Sequence, residues 1–266
     1  MDRLIVLKIG GTLLDEPTKL QSVLNHFCAL SEKKILVHGG GAQANRIAKS
    51  LGLEPKMQNG RRITDEEMLD VVTMVYAGLN GKKIAALMQG KNCNAISLSG
   101  VDGNVIAATK RPVGEVDFGF VGDIDPEGVN TDFLSILLEQ KVVPVLNAIT
   151  HDRNGTLLNT NADTIATTVA AALTSRYSVE LLLLTDRPGV LANPNDSTSL
   201  FSELHPSQVS ALIDEGTISG GMIPKIENAL GAIRCGVSAV RIGDGEMLES
   251  DRAGTRIIGQ NGEQEL

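Results

Sequence analysis

Short apolar stretches alternate with longer amphipathic stretches along the whole chain, a pattern that predicts a mostly parallel sheet flanked by helices. Apolar runs of strand length lie at Leu4–Ile9, Lys34–His38, Ala95–Leu98, Val142–Leu146, Glu180–Thr185 and Ala239–Ile242. Amphipathic stretches of helical length lie at Pro17–Leu30, Ala42–Leu51, Asp65–Met88, Asp132–Lys141, Ala162–Thr174, Pro206–Glu215 and Lys225–Cys235. The expected fold class is α/β, in three αβα layers, with an open, mostly parallel sheet and helices on both faces.

Local signals predict two hairpins and one helix start. The Gly/Pro/Asp-rich stretches Gly100–Gly128 and Thr150–Leu158 interrupt the alternation and predict β-hairpins laid over the sheet edge. In the second stretch, Asn154-Gly155 has the sequence of a tight hairpin turn. Thr64 and Glu67 have the spacing of a capping box, so the third helix is expected to begin beside them.

The composition argues against several classes of protein. The chain has 266 residues, a net charge of −8 and 3% aromatic residues, so neither a basic surface nor stacking rings favour nucleic acid as a partner. The longest apolar runs, such as Leu181–Leu184, fall far short of the roughly 20 residues of a membrane helix. Cys28, Cys93 and Cys235 form no Cys-x-x-Cys pair, and no export signal is recognisable. A soluble protein of the reducing cytoplasm is therefore expected.

Glycine-rich turns follow the first two predicted strands. Lys8 is followed by Gly10 and Gly11, and the second strand ends in the run His38–Gly41. Glycines at such points let backbone N–H groups approach phosphate oxygens, and a nearby lysine adds a positive charge. An ordinary strand-end turn with a solvated lysine would show the same pattern, but a lysine inside an apolar strand is seldom buried without a partner.

Other glycine-dependent chemistries fit less well. Gly39, Gly41 and Ala44 match the dinucleotide-binding spacing, but the acidic residue expected about 20 positions later at a strand end is missing. The chain has no G-x-S-x-G nucleophile elbow, which excludes a hydrolase of that type, and it has no P-loop. A triple glycine before a helix still predicts an anion site at the helix N-terminus.

Two further motifs suit an acidic substrate. In Asn59-Gly60-Arg61-Arg62-Ile63-Thr64, an arginine fork could bind a carboxylate through two hydrogen bonds, although one of two adjacent arginines is often only solvated. In Asn159-Thr160-Asn161-Ala162-Asp163, two amides and a carboxylate exceed what a single helix cap needs. The carboxylate could orient lysines that face phosphate, and the amides could bind the substrate.

The C-terminal part adds a glycine–lysine turn, Gly220-Gly221-Met222-Ile223-Pro224-Lys225, and a polar strand exit, Leu184–Leu191. Either could be an ordinary turn. The four histidines have no metal-ligand spacing, so no metal centre built by the protein is expected; they are His26, His38, His151 and His205.

Taken together and in this order, the six motifs closely resemble those of the acetylglutamate kinases, a branch of the amino acid kinase family. The resemblance extends from Leu4 to Gly259. It implies the carbamate kinase-like fold, with an N-terminal lobe, residues 1–178, for acylamino-acid binding and dimerisation and a C-terminal lobe, residues 179–266, for ATP binding. It also implies phosphorylation of the γ-carboxylate of N-acetyl-L-glutamate by ATP, the second step of arginine biosynthesis.

The resemblance assigns roles to individual residues. Catalysis falls to Lys8, Lys225 and Asp163. Substrate binding falls to Gly40, Gly41, Arg62, Asn159 and Asn161. Nucleotide binding falls to Gly10, Gly11, Asp186, Gly189, Ile218 and Ser219. Magnesium is expected to arrive with ATP, bound by its phosphates and water.

Two departures from the family pattern keep rival functions open. Arg187 replaces a residue that is commonly apolar or small, and the hairpin Lys110–Gly122 has no close match, although it could cover the acyl group. The alternatives are a kinase of a related acid, such as N-succinylglutamate or tethered aminoadipate, and a non-catalytic regulator that binds nucleotide or amino acid. Lys8 and Lys225 together disfavour a regulator, since pure binding needs no charge placed for a transition state.

The resemblance also predicts assembly. Arginine-inhibited members carry an extra N-terminal helix that links dimers into hexamers, whereas here Met1-Asp2-Arg3 precede the first strand. The expectation is a homodimer built around the helix Asp65–Met88 and insensitive to arginine.

Overall fold

The computed structural model describes residues 1–58, 60–193, 195–220 and 222–259. The strands are β1 (Arg3–Ile9), β2 (Lys33–His38), β3 (Met57–Gln58), β4 (Arg61–Arg62), β5 (Ala95–Leu98), β6 (Thr109–Lys110), β7 (Gly122–Asp123), β8 (Val143–Leu146), β9 (Ile149–His151), β10 (Leu157–Asn159), β11 (Ser178–Leu184), β12 (Glu203–Leu204), β13 (Ala239–Gly243) and β14 (Thr255–Ile257). The α-helices are α1 (Pro17–Ala29), α2 (Gly41–Ser50), α3 (Glu66–Thr73), α4 (Gly81–Gln89), α5 (Thr131–Glu139), α6 (Ala162–Ala172), α7 (Pro206–Asp214) and α8 (Met222–Arg234).

The main sheet has the strand order β12-β14-β13-β11-β1-β2-β8-β5. Every pair from β13 to β5 is parallel, and β14 joins β13 antiparallel. The predicted mostly parallel sheet is therefore confirmed. Because β1 pairs with both β2 and β11, the N-terminal and C-terminal parts of the chain share one continuous sheet.

Helices cover both faces of the sheet, as expected for three layers. Alternate residues of β1 enter different cores: Leu4 and Val6 pack with α2, α3 and α5–α8, whereas Ile5 and Leu7 pack with α1 and α4. Lys8 follows the alternation of Leu4 and Val6. Its side chain therefore emerges at the carboxyl end of β1 on the face that α6 covers.

The predicted long helix Asp65–Met88 is divided in the structure. A π-helical segment, Met74–Asn80, lies between α3 and α4. The predicted capping box is wrong: the cap of α3 is Asp65, whose side chain accepts a hydrogen bond from the Met68 N–H at 2.9 Å. Thr64 is not free to cap, because its backbone is paired with the hairpin that follows β5 and its hydroxyl accepts a bond from a distant side chain.

The two hairpins lie against each other and against the segment before α3. β9 and β10 form the predicted hairpin around Asn154-Gly155. In the Gly100–Gly128 stretch only β6 and β7 pair, two residues on each side. The Phe120 N–H donates to the Thr64 carbonyl at 2.7 Å, and the Asn159 N–H donates to the Phe120 carbonyl at 2.8 Å. The β6–β7 hairpin therefore spans the segment between Thr64 and Asn159.

Two smaller differences concern the C-terminal part. Helix α8 begins at Met222, earlier than the predicted Lys225, so Lys225 lies in its first turn. The short strands β12 and β14 are additions to the prediction. Across the described ranges, no helix has the length and hydropathy needed to cross a membrane.

Candidate active site

Lys8, Asp163 and Lys225 meet at the carboxyl ends of the central strands. Lys8 Nζ lies 2.7 Å from Asp163 Oδ1, and Lys225 Nζ lies 3.4 Å from Asp163 Oδ2. The three side chains come from the end of β1, the first turn of α6 and the first turn of α8. Residues far apart in the sequence thus place two ammonium groups on one carboxylate.

The charges in this cluster depend on one another. Burial lowers the pKa of the Lys8 ammonium, the nearby Asp163 carboxylate opposes that effect, and Lys225 adds to it. Burial alone would raise the pKa of Asp163, but the two lysines outweigh it and hold that pKa below its ordinary value. Asp163 therefore stays ionised at neutral pH and stabilises the charge on Lys8.

A cavity of about 230 Å³ opens on the Lys8 side of the cluster. It is lined by Lys8, the Gly39–Gly41 loop, Arg62, Tyr76 and the segment Asn159–Asp163. Among the predicted substrate-binding residues, the structure brings all five to this cavity: Gly40, Gly41, Arg62, Asn159 and Asn161. We call it the acceptor cavity.

Arg62 is buried in the wall of the acceptor cavity and held from two sides. Its Nη2 donates to the Gly41 carbonyl at 3.0 Å, and its Nη1 donates to the Asn45 side chain. Arg61, its neighbour in β4, is exposed at the cavity rim. Of the two adjacent arginines, Arg62 is therefore the one oriented by the fold.

The two predicted amides have different surroundings. Asn159 Nδ2 donates to Thr64 Oγ1 at 3.0 Å, which fixes its side chain in the wall of the acceptor cavity. Asn161 Oδ1 accepts bonds from the N–H groups of Asp163 at 2.8 Å and Thr164 at 3.2 Å. Asn161 is thus the N-cap of α6, and it orients the first turn that carries Asp163.

The two glycine loops approach each other beside this cluster. A Cβ on Gly11 would lie 3.5 Å from the Gly41 nitrogen, so the loops are in contact. Gly40 has φ +145°, and a Cβ there would overlap Asn80 Nδ2. Only glycine meets both requirements at position 40.

A larger cavity of about 480 Å³ lies on the Lys225 side. Its lining includes Gly10, Thr185, Asp186 and Lys225, together with side chains of α1 and the segment Asp244–Glu246. We call it the nucleotide cavity. Lys8 thus faces one cavity and Lys225 the other, with Asp163 between them.

The predicted nucleotide-binding residues are only partly brought together. Gly10 and Asp186 line the nucleotide cavity, whereas Gly11 lines the acceptor cavity. Gly189, Ile218 and Ser219 line neither: a Cβ on Gly189 would collide with neighbouring side chains, Ile218 is buried and Ser219 is exposed. Asn59 and Gly221, which belong to the motifs, lie outside the described residues.

Several residues of the acceptor cavity were missed by the sequence analysis. Arg111 and Val121 reach it from the β6–β7 hairpin, and Tyr76 reaches it from the π-helical segment. Arg111 is paired with Asp123 and lies over the Phe118 ring at 5.3 Å. No local signal marks these positions, because the hairpin reaches the cavity only through its pairing with Thr64 and Asn159.

Within the described residues, no three His, Cys, Asp or Glu side chains form a group that could hold a metal ion. Asp163 lines the acceptor cavity, and Lys8 and Lys225 both approach its carboxylate.

Comparison with known proteins shows which family the sequence resembles. The model of the amino acid kinase family matches residues 3–244. An acetylglutamate kinase of Parabacteroides distasonis is 46% identical over 258 residues, which are 97% of this chain and 100% of the relative. An acetylglutamate kinase of Phocaeicola vulgatus is 49% identical over 241 residues, which are 91% of this chain and 93% of the relative.

The fold matches solved structures as well. The crystal structure of smu.665 from Streptococcus mutans superposes with a TM-score of 0.79 at 30% identity. The match covers 96% of this chain and 98% of that protein. The similarity in sequence and in fold thus extends through both cavities and the sheet between them.

Proposed function

The chain belongs to the amino acid kinase family, and we propose that it transfers the γ-phosphoryl group of ATP to the γ-carboxylate of N-acetyl-L-glutamate. The products are N-acetyl-L-glutamyl 5-phosphate and ADP, and the reaction is the second step of arginine biosynthesis. One observation carries the catalytic part of the proposal: Lys8 and Lys225 flank Asp163 where the acceptor and nucleotide cavities adjoin.

In this reaction, a γ-carboxylate oxygen of the acceptor attacks the γ-phosphorus of ATP. The new O–P bond forms as the bond to the β-phosphate oxygen breaks, and ADP leaves with the electron pair. Lys8 neutralises charge on the acceptor side of the transferring group, and Lys225 does so on the nucleotide side. The backbone N–H groups of Gly10, Gly11, Gly40 and Gly41 supply further donors to the phosphoryl oxygens.

The reaction needs no general base, because the attacking carboxylate is already ionised near neutral pH. Catalysis then depends on positioning and on charge neutralisation. Asp163 orients both lysines and opposes the lowering of the Lys8 pKa that burial causes. Asp163 is a positioning residue, since it acts through the two ammonium groups.

The acceptor cavity offers contacts to both the α-carboxylate and the acyl group of the acylamino acid. Arg62 binds the α-carboxylate, with its orientation fixed by Gly41 and Asn45. Asn159, which lines the same cavity, assists. The β6–β7 hairpin covers the acyl group, where Val121 and Arg111 line the cavity.

ATP occupies the nucleotide cavity with its phosphates toward Gly10 and Lys225. Mg²⁺ would be carried by the nucleotide and water rather than by a protein-built site, and it would neutralise part of the phosphate charge. Residues 179–266 supply half of the residues that line the nucleotide cavity, among them Asp186 and Lys225, and residues 1–178 bind the acylamino acid. The division is incomplete, because α1 and the Gly10 turn also line the nucleotide cavity.

The working form is a homodimer in the cytoplasm. Its contact surface is built around α3, the π-helical segment, α4 and the edge strand β5. The side chains of Met74 and Ile96 on this surface are 55% and 37% exposed although both are apolar. All three cysteines are free, as suits a reducing compartment.

A coupled ADP-release assay tests the proposal. The panel contains N-acetyl-L-glutamate, N-succinyl-L-glutamate, a tethered aminoadipate and free amino acids, with hydroxylamine trapping any acyl phosphate as the hydroxamate. Turnover should be fastest with N-acetyl-L-glutamate. Faster turnover of another acid would reassign the substrate, and absence of turnover with every acid would favour a non-catalytic regulator.

A further inference from the structure

The π-helical segment Met74–Asn80 presents two buried polar side chains to the acceptor site. Tyr76 is 5% exposed and Asn80 is 3% exposed, whereas Met74 and Leu79 of the same segment are exposed. Neither Tyr76 nor Asn80 belongs to the catalytic cluster of Lys8, Asp163 and Lys225. A buried amide and a buried phenol both need polar partners.

The helical distortion accounts for where these side chains lie. The buried residues Tyr76, Asn80, Ile84 and Met88 follow one another at a spacing of four. In an α-helix of 3.6 residues per turn, three such steps would drift by about 120° around the axis. The wider π turn takes up part of this drift. It therefore keeps Asn80 facing the same side of the helix as Tyr76.

Asn80 contacts the backbone of the triple glycine. Its Nδ2 donates to the Gly39 carbonyl at 3.4 Å, and it occupies the space that a side chain on Gly40 would need. Gly40 adopts its φ of +145° beside this contact. The amide thus holds the part of the loop that forms one wall of the acceptor cavity.

Tyr76 contacts the same loop and the carboxylate-binding arginine. Its Cδ1 would lie 3.3 Å from a Cβ on Gly40, and its hydroxyl 3.9 Å from a Cβ on Gly41. Burial raises the pKa of the Tyr76 phenol, and the adjacent Arg62 guanidinium opposes that shift. Tyr76 therefore remains a neutral hydroxyl beside Arg62.

The geometry points to Tyr76 and Asn80 as positioning residues for the acceptor, acting through Arg62 and the Gly39–Gly41 backbone. This inference rests on the proposed function, in which those two elements bind the acylamino acid and the transferring phosphoryl. Tyr76 keeps the Arg62 fork oriented toward the α-carboxylate. Asn80 keeps the glycine loop in the shape that the reaction needs.

The first test is Asn80→Asp, which keeps the shape of the side chain but loses the N–H donor. The Gly39 carbonyl then loses this donor, and the free-energy cost of the lost hydrogen bond predicts a rise of about tenfold in the KM for the acylglutamate. The KM for ATP should stay within about twofold. Protonation of the new carboxyl restores a donor, so the defect should shrink as the pH falls. Asn94→Asp, at an exposed position, is the matched control.

The second test is Tyr76→Phe, which removes only the hydroxyl. We expect a several-fold rise in the acceptor KM with little change in kcat, because ground-state binding is weakened. Tyr177→Phe is the matched control: Tyr177 is similarly buried, and its hydroxyl bonds Glu139 instead. Equal rises in the KM for both substrates, or unchanged kinetics in folded variants, would overturn the inference.

A readout independent of turnover separates this inference from the proposed function. Hydrogen exchange of the peptide that contains Gly39–Gly41 should quicken in Asn80→Asp and not in Asn94→Asp, both without ligand. If exchange is unchanged, the positioning role of Asn80 is wrong whatever the substrate is. If wild-type protein phosphorylates no acylglutamate while exchange quickens, the proposed function fails and the contact to the loop stands.

Discussion

Lys8 and Lys225 approach opposite oxygens of one carboxylate, at 2.7 Å and 3.4 Å from Asp163. The shorter contact belongs to the buried lysine and the longer one to the lysine that borders the nucleotide cavity. A shared counter-ion therefore links the two halves of the site.

Removing either ammonium should affect the chemical step more than binding. Lys8→Ala and Lys225→Ala are each expected to lower kcat by about 10²–10³, with smaller changes in KM, because their charge acts mainly in the transition state. Steady-state kinetics on both substrates measures this. Lys49→Ala, on the exposed side of α2, is the control and should match the parent. A kcat within a few-fold of the parent would remove that lysine from the catalytic group.

Asp163→Asn should change the pH dependence of the reaction. Lys8 must be protonated to act, and its pKa is already below the ordinary value because of burial. Activity is therefore lost as the pH rises through that lowered pKa. Without the Asp163 charge the pKa of Lys8 falls further, so the alkaline loss of kcat/KM should move to lower pH. A profile from about pH 6 to about pH 10 tests this. An unmoved alkaline limb would contradict the role given to Asp163.

Arg62→Lys should act mainly on acceptor binding. Lysine cannot reproduce the two-pronged contact of arginine with a carboxylate, so the KM for N-acetyl-L-glutamate should rise at least tenfold, more than kcat falls. The neighbouring change Arg61→Lys, at the exposed rim, should have a much smaller effect. The opposite ranking of the two variants would give the carboxylate contact to Arg61.

His38 should make the fold sensitive to mild acid. Its side chain is fully buried, and burial lowers its pKa from 6.5 to about 4. Between these values the unfolded chain binds a proton that the folded chain does not, so stability falls as the pH decreases. At a pH near the folded-state pKa, His38 alone lowers the free energy of unfolding by about 3 kcal/mol. Urea unfolding of the parent and of His38→Gln at several pH values measures it, and the variant should show the shallower pH slope.

The apolar residues on the edge surface should report on assembly. Met74→Glu or Ile96→Glu would place a charge in the proposed dimer contact and should shift the protein toward monomer in light scattering. Val113→Glu is the control, because Val113 is an apolar residue that is 71% exposed and lies in the β6–β7 hairpin, which is not part of the proposed contact. A monomeric parent, or a dimer that tolerates both charges, would place the contact elsewhere.

Local sequence patterns determined many of this protein's strands, turns and helix caps. Continuous apolar runs of strand length marked β1, β2 and β11, and glycines placed after strands marked the loops that meet at Gly11 and Gly41. Asn154-Gly155 marked its hairpin because a tight turn depends on a few adjacent residues. The motif that contains Asp163 was also recognisable, since a helix cap is read from neighbouring positions.

Tertiary packing decided the rest. Asp65 rather than Thr64 caps α3, because Thr64 is paired with the hairpin. The π turn interrupts the predicted helix where Tyr76 and Asn80 both contact the glycine loop. Arg111 entered the acceptor cavity only through strand pairing across a long stretch of sequence. The sequence determined which elements form, because their signals are local. Which of their side chains share a cavity depends on contacts between residues far apart in the chain, and only the assembled fold sets those contacts.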